Sequence, residues 1–281
     1  MIDFLLPFQY EFFRNGIVVA VLVGGTCGLL GVYIILKGMS YIGHGMSNAV
    51  FGGAAVSFIL SVNLYIGASI FGILSAFLIN EISKRSKIKS DAAIGIVTTA
   101  VFALGIFFVS MTQGNIHYFE GLLFGNILGI SQLDIIIVIF MTIITVLFFL
   151  FFHKKMLFSI FDDETANVFG IKTENVERVF TIILATVVIA SMNAIGVTLL
   201  AAAIIAPAAS ARLLTNNFLK MILFSTIIGS ITAFVGMYAS FHFDTASGAT
   251  IVLFAASTFG IISLYVFLKK RYCKRFQIQK I

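Results

Sequence analysis

The chain holds no tryptophan, two prolines and two cysteines, and only 11% of its 281 residues are charged. With 60% of residues hydrophobic, so few charges cannot cover a surface in water, which excludes a soluble globular protein. The cysteines exclude a disulfide framework, because Cys27 lies inside the first apolar run and Cys273 in the basic tail. No Pro- or Ser-rich linker divides the chain, so 1–281 is expected to be a single domain. Also missing are a Gly-x-x-x-x-Gly-Lys-Ser/Thr phosphate loop, a Cys-x-x-Cys pair, a His-Glu-x-x-His helix and a Ser-His-Asp arrangement. An enzyme is therefore not expected, and energy from ATP would have to come from another subunit. The net charge of +6 does not point to nucleic acid, because Lys and Arg sit at the ends of apolar runs and in short loops.

What the chain does have is apolar runs of membrane-spanning length. Nine fall at about 17–36, 41–60, 64–82, 93–111, 133–152, 178–192, 195–214, 221–239 and 250–268. The sixth and seventh are separated only by Asn193 and Ala194, so the expected fold is an all-α polytopic transmembrane helical bundle of eight to nine spans. The basic cluster 84–89, Lys154-Lys155, Arg212, Lys220 and the tail 269–281 place one face of the bundle in the cytosol. Nine spans then put the C-terminus inside and the N-terminus outside a cell membrane, with Arg14 as the one outside cation. Residues 1–14 lack the charged start and cleavage site of a signal peptide. Phe4, Leu5, Phe8, Phe12 and Phe13 recur at helical spacing there and predict an interfacial helix on the lipid surface.

The outer loops carry acceptors and no Lys or Arg. His242 and Asp244 could hold a cation transiently, or could cap the last span or meet a partner; His117 with Glu120 has helical spacing and could form a similar pair. Within the spans, polar side chains are expensive and suggest function. His44 and Asn48, four residues apart and so on one helix face, are the candidate substrate and metal contacts, with Ser47 beside them. The bland alternative is that they bond to a neighbouring helix turn or a facing span. Asp91 is expected to cap the fourth span. Pro207 marks either a kink used in gating or a helix near its end.

One acidic stretch interrupts the grease: Phe161-Asp162-Asp163-Glu164-Thr165-Ala166-Asn167-Val168-Phe169-Gly170-Ile171. Asp162 and Asp163 can cap a helix whose first turn welcomes Glu164, and Gly170 can stop it. An anionic amphipathic helix is a poor ligand for an anionic inner leaflet, so the expected partner is a protein. Residues 153–177 are thus a cytosolic coupling segment, with Phe161, Asp162, Asp163, Glu164, Ala166, Gly170 and Ile171 as its contacts.

That stretch, with Lys37-Gly38-Met39-Ser40-Tyr41-Ile42-Gly43, Asp91-Ala92-Ala93-Ile94-Gly95-Ile96, 205–214 and 247–253, resembles the integral-membrane permeases of ATP-binding-cassette importers for manganese, zinc and iron, the ABC-3 group. The likeness runs in order along almost the whole chain. It implies a type II ABC importer permease fold and a homodimer that moves a divalent metal ion by alternating access. It implies a cytosolic ABC ATPase and an extracytoplasmic solute-binding protein as partners, with membrane lipid around the spans and no permanently bound cofactor. The family's Asp-x-x-x-His at the start of the second span is His44-x-x-x-Asn48 here, so the carboxylate is gone and the imidazole has moved. A secondary cation transporter or channel is the rival reading, disfavoured by the near absence of carboxylates in the spans. A vitamin or siderophore permease of related architecture and a non-transporting scaffold are the others.

Overall fold

The computed structural model describes residues 6–39, 41–85, 90–111, 121–125, 130–161 and 173–278. Nine long helices run through them: α1 (Glu11–Lys37), α2 (Ile42–Ile59), α3 (Leu64–Arg85), α4 (Ser90–Met111), α5 (Gln132–Phe161), α6 (Thr173–Ile195), α7 (Val197–Leu214), α8 (Phe218–Phe243) and α9 (Ser247–Ile278). No strand occurs among the described residues. Eight of the nine are long and apolar enough to cross a bilayer; α2, with 18 residues, is not among them.

Burial ranks the helices. The most apolar stretch of α1 is 83% buried and that of α9 only 11%, so α1 is the axis and α9 the rim. Around α1 stand α5, α6, α7 and α8, while α2 is enclosed by α3, α4, α6 and α7. Outward-facing positions of α3, α5 and α9 carry Ile70, Phe77, Phe140, Phe151 and Leu264 in the open. Such a surface is stable only against hydrocarbon, where all backbone groups must be paired inside the helices.

Helix ends follow local chemistry. Gly38, at φ +73°, closes α1 in the left-handed conformation, its N–H bonding to the carbonyls of Ile34 and Ile35, and the chain reverses into α2 within four residues. The break between the sixth and seventh apolar runs falls at Gly196, at φ +86°, where a side chain would meet the backbone nitrogen of Gly125 at 2.4 Å. Two boundaries differ from the sequence expectation. Of the interfacial helix expected over 1–14, residues 1–5 lie outside the described residues; beyond them a 3-10 turn at Leu6–Gln9 is followed at Glu11 by the first turn of α1. Rings explain the early start: Phe13, which is buried, meets Phe8 at 5.5 Å and Phe241 of α8 at 5.1 Å and so packs on protein. The basic tail from residue 269 is the helical continuation of α9 as far as Ile278.

Candidate functional site

Helix α2 is built to be enclosed. Gly45 lies where a side chain would strike Ile94 and Thr98 of α4, and Gly52 where it would strike the carbonyl of Val101. Gly43 stands beside Ala201 and Ile204, in the first half of α7, so α2 begins part-way along α7 and well inside the bundle. Against that buried background His44 is exposed and Asn48 half-buried, on one open stripe. The amide nitrogen of Asn48 donates to Nε2 of His44 at 3.4 Å. So long a bond is weak, and a ligand that engages the imidazole nitrogen can displace it. The pair offers nitrogen and amide oxygen without net charge, a set that suits zinc or ferrous iron better than manganese.

Ser47 does not join them. It is fully buried and its hydroxyl donates to the carbonyl of Gly43 at 3.0 Å, on the packed side of the helix. His242 is exposed at the end of α8, its Nδ1 3.1 Å from the Tyr238 carbonyl and its ring 4.5 Å from the Tyr238 ring. Asp244, at φ +50°, closes α8, its N–H reaching the Ser240 carbonyl, so its capping role belongs to the end of α8 and not to the start of α9. Asp91 lies exposed in the first turn of α4, where a carboxylate is favoured by the helix dipole. Pro207 is buried within α7, which continues unbroken to Leu214; its ring faces Gly229 of α8. His117 and Glu120, and Asp162, Asp163, Glu164, Ala166, Gly170 and Ile171, lie outside the described residues, as does the side chain of Phe161. No cluster of three or more metal-binding side chains occurs among the described residues.

Two polar clusters escape a reading of the sequence. At the end of the bundle away from Lys37, Asp134 is 6% exposed at the start of α5. Its Oδ2 accepts from the N–H and hydroxyl of Ser131, each at 2.8 Å, while Oδ1 accepts from the Tyr65 hydroxyl of α3 and from the Asn193 amide of α6 at 3.2 Å. The Ser131-x-x-Asp134 spacing is a legible capping signal, but Tyr65 and Asn193 are remote in sequence. Replacing Asp134 with Ala should cost about 1–3 kcal/mol, from the lost cap and the lost charged acceptor, although the Asn193 amide keeps its bond to the Tyr65 hydroxyl oxygen at 3.0 Å. Thermal unfolding of the detergent-solubilised protein would show it, with Asp134→Asn losing less; an unchanged melting temperature would remove the cluster from the stability of the fold.

The second cluster lies at the opposite end. Lys37 Nζ is 2.5 Å from Glu177 Oε1 of α6 and donates to the Ser159 carbonyl of α5 at 2.5 Å. The Tyr33 hydroxyl bonds to the Ser159 hydroxyl at 2.8 Å, and its ring lies 4.3 Å from that of Phe180. The last turn of α5 and the first turns of α6, which flank residues 162–172, thus both contact the end of α1.

Known proteins share the fold and align with this chain over most of its length. A model of the ABC 3 transport family matches residues 9–266. The manganese transport system membrane protein MntC of Listeria monocytogenes is 37% identical over 269 residues, 94% of this chain and 96% of its own length. The manganese import system permease protein ScaB of Streptococcus gordonii is 37% identical over 267 residues, 95% of each. Among solved structures, a chain of PsaBC from Streptococcus pneumoniae, in complex with Fab, matches with a TM-score of 0.83 and 36% identity, over 92% of this chain and 94% of that one.

Proposed function

The chain belongs to the ABC 3 transport family, and we infer from that membership that it is the membrane permease of an ATP-binding-cassette importer for a divalent transition-metal ion. The likeness to manganese permeases over more than nine-tenths of the chain carries this reading. A cytosolic ATPase docks on the stretch from Phe161 to Ile171 and supplies the energy, and an extracytoplasmic binding protein delivers the ion. Two permease copies form the pathway, with the C-terminus and Lys154, Arg212 and Lys220 on the cytosolic side and the N-terminus outside. The ion meets His44 and Asn48 on the open stripe of α2, the one place where the described part of that helix presents an imidazole to the pathway.

The donor pair sets the order among metals. An imidazole and an amide without a carboxylate should stimulate ATP hydrolysis with zinc or ferrous iron at lower concentration than with manganese. The test reconstitutes permease with its ATPase in proteoliposomes and follows ATP hydrolysis and ion uptake with each metal in turn. Uptake should require the ATPase; sustained uptake by the permease alone, following membrane potential, would instead support the secondary-transport rival. Manganese stimulating best would overturn the ordering while leaving the transport class in place.

A further inference from the structure

Any importer of this build must carry motion from the end of the bundle where its energy enters to the helix that meets the ion. The covalent route is long, since α5 and α6 are remote in sequence from α2. The described residues contain a short one. Lys37 is the last residue of α1, its side chain 17% exposed, and it spends its ammonium on Glu177 of α6 and the Ser159 carbonyl of α5. A lysine at a helix end would ordinarily extend its amine into water. An ion pair between part-exposed groups contributes little to stability by itself, so the geometry is better accounted for by position than by energy.

From Lys37 to α2 the path is brief and stiff. Gly38 reverses the chain, the Met39 N–H bonds to the Ile34 carbonyl at 3.0 Å and the Ile42 N–H to the Met39 carbonyl at 3.0 Å. The Gly45 N–H bonds to the Tyr41 carbonyl at 2.9 Å, and His44 lies two residues beyond the first residue of α2. On the other side, the Tyr33 hydroxyl doubles the grip on Ser159, which is itself 1% exposed.

We propose that Lys37 is a positioning residue of the transport cycle: it binds the ends of α5 and α6 to the turn that starts α2, so that displacement of those ends reaches the helix carrying His44 and Asn48. The proposal rests on the permease reading and adds to it the element that couples ATP hydrolysis to movement of the ion.

Two measurements test it on the full chain reconstituted with its ATPase. The first is metal imported per ATP hydrolysed. Lys37→Met should retain metal-independent hydrolysis but lose at least about fivefold in this ratio, while Lys37→Arg, which keeps the charge and the donors, should stay within about twofold of the original. If Lys37→Met does not assemble, Glu177→Gln carries the same test, because it leaves the lysine on Ser159 and the fold intact. An unchanged ratio in the assembled variant overturns the proposal. The second measurement reads the tie itself, whatever is transported. Spin labels at Tyr41→Cys and Lys154→Cys, in a chain with its two native cysteines replaced, should report one narrow distance that broadens in Lys37→Met. The same narrow distance in the variant also overturns the proposal. Absence of metal uptake in the unmodified complex, with the distance behaving as expected, would instead count against the transport reading and not against the tie.

Discussion

A permease with both His44 and Asn48 replaced by leucine, assembled with its ATPase, should import metal at no more than about a tenth of the normal rate while its metal-independent ATP hydrolysis is unchanged. Both side chains stand on the open stripe of α2, and the faces that pack against α3, α4 and α7 are formed by other residues, so the variant keeps its fold. Leucine preserves bulk and helix propensity while removing every lone pair a cation could use. A tenfold loss corresponds to only about 1.4 kcal/mol, a modest demand for the removal of two ligands. The reverse change is as informative. His44→Asp with Asn48→His installs the carboxylate and imidazole of the related permeases, and manganese should then stimulate ATP hydrolysis at least about tenfold more effectively, because an anionic oxygen suits that ion. Normal uptake by the leucine variant would mean that the ion passes elsewhere, and a silent reverse change would mean that positions 44 and 48 do not choose it.

The sequence made some of this legible and hid the rest for physical reasons. Hydropathy located the nine long helices described above, since a span must be apolar along its length whatever its neighbours. It set several ends wrongly, because ends are decided by partners far away. Helix α6 starts at Thr173, about one and a half turns before the apolar run, and Glu177 is accommodated there by Lys37, which hydropathy cannot see. Helix α5 runs on to Phe161 through His153, Lys154 and Lys155, whose long stems remain on the helix surface; Lys155 Nζ lies 5.2 Å from the centre of the Phe152 ring. At the site, the four-residue spacing was enough to put His44 and Asn48 on one face. Which of the two adjacent positions, Ser47 or Asn48, shared the open stripe depended on the placement of α4 and α7. The Tyr65, Asp134 and Asn193 cluster had only its local Ser131 cap to announce it, since the other two members arrive from separate helices.

The seam between α1 and α8 should tolerate little change. A Cβ on Gly24 would lie 2.5 Å from the Gly229 carbonyl oxygen, one on Gly229 2.2 Å from the Gly24 oxygen, and one on Gly28 2.4 Å from the Ser225 oxygen. The obstacle in each case is backbone, which cannot swing aside as a side chain end can. Hydrocarbon gives no hydrophobic drive to hold helices together, so contact at this range supplies the dispersion that does. It also brings donors into reach: the Ser225 hydroxyl bonds to the Gly28 carbonyl at 2.5 Å and the Ser230 hydroxyl to the Val21 carbonyl at 3.2 Å. Separating the helices forfeits both bonds as well as the packing. Gly28→Ala should therefore cost about 1–3 kcal/mol, the range of an overpacked core, and lower the melting temperature of the solubilised protein. Gly28→Leu should leave little folded protein on size-exclusion chromatography, because α1 is the helix on which α5, α6, α7 and α8 all rest. The control is Gly260→Ala on the rim, where a Cβ would meet nothing within 4 Å and stability should stay within about 0.5 kcal/mol. Equal behaviour of the Gly28 and Gly260 variants would mean that the two helices can part without loss, and that the close approach along α1 is not what holds the bundle.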